Sequence, residues 1–445
     1  MKRVRRDEAA QGGYNAKISN GFFAMHDMTA KKASVTAVGK HPSFDKHHAR
    51  FPTTAWLRRQ APRNVPLFAF EYGDTGAGND VGIAKNWAAF DAVEIVPRYG
   101  VMPSLPPVDV KLFGRSYAAP IGMAPMGGPS LVWPGADLLM AKAAQRARVP
   151  YTLSVAGGAT IEQSAEAAPD VFWLQLYRFW HEDHKIGFDL VRRAQAVDAK
   201  VLALTLDVPV RTTRSRETYA GLAHQFKPNV RMVYEMMIRP KWLLALLRNG
   251  YPRFATISYY ARPGAGTNEI IAYARSRMGG AFSWEEIRRY RDVWKGPMAL
   301  KGILHPEDAR QAVALGIDGI WVSNHGGRQI EALTPSIDVL PAIVAAVGKK
   351  ATILLDSGVR SGQDVMRAIA LGADAAFAGK SFLWAVAALG DDGADYLIDL
   401  YIDELRASLG QIGARTFEEA RASTIRHPGA ISFEGPRPLR ASRKR

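Results

Sequence analysis

Eight short apolar runs, each closed by a turn and most followed by a helix-like segment, dominate the chain from Pro120 to Lys380. They are Pro120-Ile-Gly-Met-Ala-Pro, Tyr151-Thr-Leu-Ser-Val, Val171-Phe-Trp-Leu-Gln-Leu-Tyr, Val201-Leu-Ala-Leu-Thr-Leu-Asp, Met298-Ala-Leu-Lys-Gly, Gly319-Ile-Trp-Val-Ser-Asn, Thr352-Ile-Leu-Leu-Asp and Ala375-Ala-Phe-Ala-Gly-Lys. Short runs with little alternation read as strands buried on both faces, the pattern of a parallel sheet covered by helices. The stretches between them, such as Pro306-Glu-Asp-Ala-Arg-Gln-Ala-Val-Ala-Leu-Gly, have helical spacing and end at glycine. Eight strand–helix units over about 260 residues predict an α/β fold, a closed (β/α)8 TIM barrel. An open doubly wound sheet rarely needs eight units.

The rhythm breaks once. Ninety residues separate Asp207 from Met298, so an insertion of about 211–280 is expected after the fourth strand. It emerges on the face where such barrels do their chemistry. A basic arm over 1–53, read as mobile, and a basic tail over 429–445 flank the barrel domain of 54–428. The net charge of +16 is segregated. Residues 1–64 carry +9, residues 211–280 carry +9 and residues 421–445 carry +6, leaving −8 for the rest. No nucleic-acid-binding motif accompanies this charge, so nucleic acid is not an expected partner. An anionic membrane surface suits it better, because Trp242-Leu-Leu-Ala-Leu-Leu247 lies between Lys241 and Arg248. Pro240 limits any continuous helix there. The bland alternative is a lid with its own small core. The absence of cysteine excludes disulfides, thiolate metal sites and a cysteine nucleophile. No run approaches the roughly 20 apolar residues of a membrane span. Met1-Lys-Arg-Val-Arg-Arg precedes no apolar segment, so a cytoplasmic protein, peripheral on the membrane, is expected. A homo-oligomer is expected as well.

Polar residues crowd the ends of the predicted strands, where barrel chemistry sits. The third strand ends in Gln175 and Tyr177, and the fourth in Thr205 and Asp207. Lys301 follows on the fifth, Ser323, His325 and Arg328 on the sixth, Asp356, Gly358 and Arg360 on the seventh, and Gly379 and Lys380 on the eighth. The last two loops of such barrels commonly hold phosphate. Gly358, Arg360, Gly379 and Lys380 supply backbone freedom and two cations for one.

These motifs resemble one family, the FMN-dependent α-hydroxy-acid oxidases and dehydrogenases. The resemblance runs from about Leu57 to Ser423. Its most specific element is Ser323-Asn-His-Gly-Gly-Arg-Gln329, joined by Phe70-Glu-Tyr-Gly-Asp-Thr-Gly-Ala, Leu174-Gln-Leu-Tyr177, Leu204-Thr-Leu-Asp-Val-Pro, Leu300-Lys-Gly-Ile and Leu355-Asp-Ser-Gly-Val-Arg. The resemblance implies FMN as cofactor and a small 2-hydroxy acid as substrate. His325 would be the base that takes a substrate proton, and Asp207 would orient it. Arg328 and Tyr72 would clamp the carboxylate, with Arg214 the second arginine, and Tyr177 would bond the substrate hydroxyl. For the flavin, it implies Lys301 beside the N1–C2 carbonyl, Ser154, Gln175, Thr205 and Ser323 along the ring, and the Pro125-Met126-Gly127 backbone near N5. Asp356, Gly358, Arg360, Gly379 and Lys380 would hold the ribityl phosphate end.

Elementary chemistry agrees with those roles. Oxidising a 2-hydroxy acid releases two electrons and two protons, so a base tuned near neutrality is needed, and imidazole suits it. Arginine matches a planar carboxylate with two donors. Lys380 departs from the family, which usually places arginine there. Gly127 and Ala156 are small and imply a roomy pocket, and Arg211 is an unusual extra cation. A dehydrogenase passing electrons to a quinone is the expected activity. An oxygen-using oxidase is the nearer alternative, and an FMN- or phosphate-binding isomerase the more remote one.

Overall fold

All eight expected strands form. The computed structural model describes residues 39–433 apart from 101–104, 211 and 223–228. Within it β1 (Ile121–Met123), β2 (Tyr151–Ser154), β3 (Phe172–Leu176), β4 (Leu202–Thr205), β5 (Met298–Ile303), β6 (Gly319–Val322), β7 (Thr352–Leu355) and β8 (Ala375–Ala378) close into a barrel. Sequential neighbours pair in parallel, and β8 returns to β1 through Phe377↔Gly122. The strands are almost wholly buried because helices cover the outside and large rings fill the inside. Phe377 lies 4.3 Å from Trp321 and 5.4 Å from Trp173, centroid to centroid. Gly122 makes room for this plug: a Cβ there would stand 2.1 Å from the Phe377 ring. A hairpin of Val110–Leu112 and Arg115–Tyr117 adjoins the plug, with Phe113 against Trp173 and the Tyr117 hydroxyl accepting from Trp173 Nε1 at 3.0 Å. One end of the barrel is therefore solid, and chemistry is left to the other.

Helices α1 (Thr54–Asn64), α2 (Leu67–Asp74) and α3 (Val81–Asp91) precede the barrel, and the last two contribute to the cavity's wall. The packed body begins earlier than the expected arm boundary at 53. Pro42–His47 is helical, and Phe44 and Phe51 are buried. Of that arm, residues 1–38 lie outside the described residues, as do 434–445 of the tail.

The insertion after β4 is helical: α4 (Ser215–Tyr219), α5 (Val230–Met237), α6 (Pro240–Asn249) and α7 (Thr267–Arg277), before α8 (Trp284–Val293) leads back to β5. Pro240 occupies the first position of α6, so it starts that helix and does not interrupt it. The apolar run of α6 divides between two faces. Trp242 is only 2% exposed and donates to the Val132 carbonyl at 3.0 Å, with its ring edge-on to Phe68. Trp242 is thus a packing residue, which corrects its expected part in a membrane contact. Leu247, 75% exposed, and Leu244 point outward with Val233, Tyr234, Met237 and Ile238 of the neighbouring segment. Among the described residues, no helix is long and apolar enough to cross a membrane.

Candidate active site

At the open end of the barrel lies a cavity of about 1100 Å³, lined from the ends of β1, β4, β5, β7 and β8, from α2 and from the insertion. His325, Arg328, Tyr72, Tyr177, Arg214, Lys301, Thr205, Asp356, Gly358, Arg360, Gly379, Lys380 and Pro125-Met126-Gly127 all line it. Ser154, Gln175 and Ser323 are buried just beneath its wall. Sequence positions more than 300 residues apart thus meet in one place. Arg211 lies outside the described residues.

The loop after β6 turns sharply. His325, Gly326 and Gly327 all have positive φ (58°, 66° and 71°), a conformation two glycines accept without strain. Ser357 Oγ holds the turn by accepting from the amides of Asn324 at 3.1 Å and Gly326 at 2.9 Å. His325 is thereby aimed so that Nδ1 meets Asp207 Oδ1 at 2.9 Å. Burial pushes the imidazole below its ordinary pKa, outweighing the pull of Asp207 in the other direction. Burial also works against the charged Asp207, yet His325 and then Lys301 hold its carboxyl below the usual range. With Asp207 ionised, Nδ1 carries the hydrogen and Nε2 is left as a free base. Asp207 owes its place to a bulge in β5. Gly302 has φ 101°, and a Cβ there would lie 2.5 Å from the Asp207 Cβ.

Arg328 is fixed by three acceptors. Nη1 donates to the Tyr72 and Thr75 carbonyls at 3.0 and 2.9 Å, and Nη2 meets Glu217 Oε1 at 2.7 Å. Tyr72 turns its hydroxyl toward the Gly127 carbonyl, and burial pushes its pKa up to about 12 against the pull of Arg328. The phenol therefore stays a neutral hydrogen-bonding group.

The other half of the cavity suits a large anionic cofactor. Lys301 Nζ donates to Ser323 Oγ at 2.7 Å and lies 2.8 Å from Asp356 Oδ2. Gln175 gives its amide hydrogen to Thr205 Oγ1 at 2.9 Å, while its Oε1 is buried without a partner. Lys380, at the start of the helix α9 (Lys380–Leu389), donates to the neutral Thr75 carbonyl at 2.9 Å. Its burial, then the nearby charge of Arg328, depresses its pKa well below the lysine range. Arg360 meets Asp91 at 2.7 Å, and its buried Nε lies 3.5 Å from Asp364 Oδ2. A buried lysine on a neutral acceptor, the Arg360 guanidinium near it and an orphan amide oxygen fit a ligand with a phosphate at one end and ring N–H groups at the other.

The model of the FMN-dependent dehydrogenase family matches residues 61–427. This chain belongs to that family. An L-lactate dehydrogenase of Ectopseudomonas mendocina is 36% identical over 371 residues, covering 83% of this chain and 97% of the relative. One from Alcaligenes faecalis is 36% identical over 357 residues, covering 79% and 92%. Among solved structures, the monotopic membrane protein (S)-mandelate dehydrogenase matches with TM-score 0.78 at 30% identity, covering 82% of this chain and 96% of that one. A mandelate oxidase matches with TM-score 0.72 at 32% identity, covering 86% and 100%. This FMN-dependent dehydrogenase is thus an oxidoreductase built on a (β/α)8 barrel, as its strand pattern implied.

Two site residues escaped the sequence reading. Ser357 is one, the hinge pin of the histidine turn. The other is Glu217, whose only trace in the sequence is its spacing of three from Arg214 at the start of a short helix.

Proposed function

We propose that this enzyme oxidises an L-2-hydroxy acid to the 2-oxo acid and delivers the electrons to a quinone at an anionic membrane surface. The observation that carries the first part is a neutral histidine, backed by a buried carboxylate, opening into a cavity that also presents Arg328 and Arg214. The names of the relatives, lactate and mandelate enzymes, support the substrate class. The cavity slightly exceeds the usual range for one small ligand, about 300–1000 Å³, as a site for a cofactor and a substrate together requires.

FMN, when bound, supplies the two-electron acceptor. Arg360, Lys380, Gly358 and Gly379 would hold its phosphate end and Asp356 its ribityl chain. Lys301 would offset negative charge on the ring, and Ser154, Gln175, Thr205, Ser323 and the Pro125-Met126-Gly127 backbone would border it. His325 Nε2 takes a proton from the substrate, and Asp207 stabilises the imidazolium so formed. Arg328, aided by Arg214 and the Tyr72 hydroxyl, receives the carboxylate, and Tyr177 receives the hydroxyl. Gly127 and Ala156 leave room for a side chain.

The membrane part rests on the outward apolar face of α5 and α6, set in a segment carrying +9. Apolar groups can enter the headgroup boundary while cations face anionic lipid. Anaerobic mixing with a panel of L-2-hydroxy acids tests the first part, by bleaching of the flavin. Reoxidation by a soluble quinone faster than by oxygen is expected for the second. Oxygen as the faster acceptor would make the enzyme an oxidase.

A further inference from the structure

Two arginines of the cavity share one carboxylate. Arg214 Nη1 stands 3.1 Å from Glu217 Oε1, and Arg328 Nη2 stands 2.7 Å from the same oxygen. All three side chains line the cavity, and all are largely shielded from solvent, with Glu217 at 16% exposure. Formal charges of two arginines and one glutamate leave the trio at +1, the complement of a single carboxylate.

Glu217 cannot easily leave. Its neighbour Arg216 ties α4 down through Glu71 at 2.5 Å, Asp80 at 2.7 Å and Asp74 at 2.9 Å. Asp74 is also held by Arg58 at 2.6 Å and by Trp384 Nε1 at 2.9 Å. Thr212 and Arg214 both donate to the Arg328 carbonyl, at 3.2 and 3.5 Å, so the two arginine-bearing segments move as one. The carboxylate is therefore a fixed part of the clamp and stays in place when an acid enters.

We propose that Glu217 sets the charge of the substrate clamp to that of one carboxylate, and so restricts the enzyme to 2-hydroxy monocarboxylic acids. The proposal rests on the 2-hydroxy-acid reading above. A monocarboxylate neutralises the trio. A second carboxylate on the substrate side chain would find no charge left to it in the trio, and Glu217 would repel it. Without Glu217 the clamp would carry +2, which a dicarboxylate matches.

Glu217→Gln is the decisive variant, because glutamine keeps an Oε1 that can accept from both arginines while losing the charge. Purified holoenzymes are compared for kcat/KM with L-2-hydroxypropanoate and L-2-hydroxysuccinate, flavin absorbance confirming full FMN loading. The ratio in favour of the dicarboxylate should rise about tenfold or more in Glu217→Gln, the order expected from removing one like charge a few ångströms away. Glu217→Asp, which keeps the charge, should retain the wild-type ratio. A smaller change in Glu217→Gln overturns the proposal, since a purely positional role would survive that substitution. Should the variant lose FMN, perturbation of the wild-type flavin spectrum decides. Propanoate should bind at least about tenfold more tightly than succinate, and a smaller difference overturns the proposal. Failure of the underlying reading looks different: the wild-type flavin would be bleached by no member of the hydroxy-acid panel.

Discussion

In the proposed reaction His325 is a base at neutral pH, because burial opposes its charged form more than Asp207 favours it. The pH dependence follows in sign. Only the neutral ring can take a proton, so flavin reduction should be constant at high pH and fall as pH drops through a pKa below 6.5, the ordinary histidine value. Stopped-flow reduction at low substrate, repeated across pH, measures that limb, and a midpoint above 6.5 would contradict the burial argument. His325→Ala should retain FMN but slow reduction by roughly 10²–10⁴-fold, the usual worth of a positioned acid–base group. Near-normal reduction in that variant would remove His325 from its role. In the proposed clamp Arg328 meets the substrate before and during the reaction, so Arg328→Met should raise KM and lower the reduction rate together. Equal oxidation of 2-hydroxy amides and free acids would argue against a carboxylate clamp.

Among the elements, the helix α10 (Gly393–Ile412) backs the proposed phosphate end. Its Glu404 accepts from the Gly362 amide at 2.7 Å, beside the loop that carries Gly358 and Arg360. Burial, ahead of repulsion by Asp364, raises its pKa to about 7. A carboxyl raised in the fold favours folding while protonated. Its contribution is complete below the unfolded value near 4.5 and is lost as pH rises toward about 7. Denaturant melts should therefore show Glu404→Gln losing less stability than wild type between pH 5 and 8, by on the order of 2–3 kcal/mol. Parallel curves for the two proteins would refute this. The insertion makes a second element-scale case. Replacing all of it would strip Trp242 and Leu246 from the cavity wall, so surface substitutions are the sound test. Leu247→Ser with Tyr234→Ser should weaken flotation with anionic vesicles at least about tenfold, given about 1.5–3 kcal/mol per buried apolar side chain. Binding should also fall with salt and be weak on neutral vesicles. An intact protein that stays unbound even at low salt would make α5 and α6 a lid or a subunit contact.

For the whole molecule, the barrel brings strand ends from β1 to β8 around one cavity and fills the interior beneath it with Phe377, Trp321 and Trp173. The proposed phosphate end, at Arg360 and Lys380, suits FMN and not a dinucleotide. The purified protein should be yellow and release FMN on denaturation, as chromatography of the supernatant would report. A colourless protein that cannot be reconstituted with FMN would end the flavin reading.

The eight strands were legible because burial on both faces leaves uninterrupted apolar runs, a local property of the chain. That His325, Asp207 and Arg328 would meet was legible because each sits in a short motif at a strand end. Other features depend on groups far apart in sequence and could be decided only by packing. Trp242 lies in an apolar run that reads as a membrane face, yet the gap beneath α6, lined by Phe68 and Val132, draws it inward. The basic arm ends sooner than its composition suggests because Phe44 finds a partner in Tyr396, 5.9 Å away between ring centroids. Glu217 reads as one more solvated charge until Arg328, more than 100 residues later, closes on it. Periodicity and motif thus determined the barrel and its cofactor class, and named the residues that the barrel gathers at its open end. The charge of the clamp and the division of the insertion into inner and outer faces arose only from tertiary contact, because charge balance and burial are properties of neighbours in space.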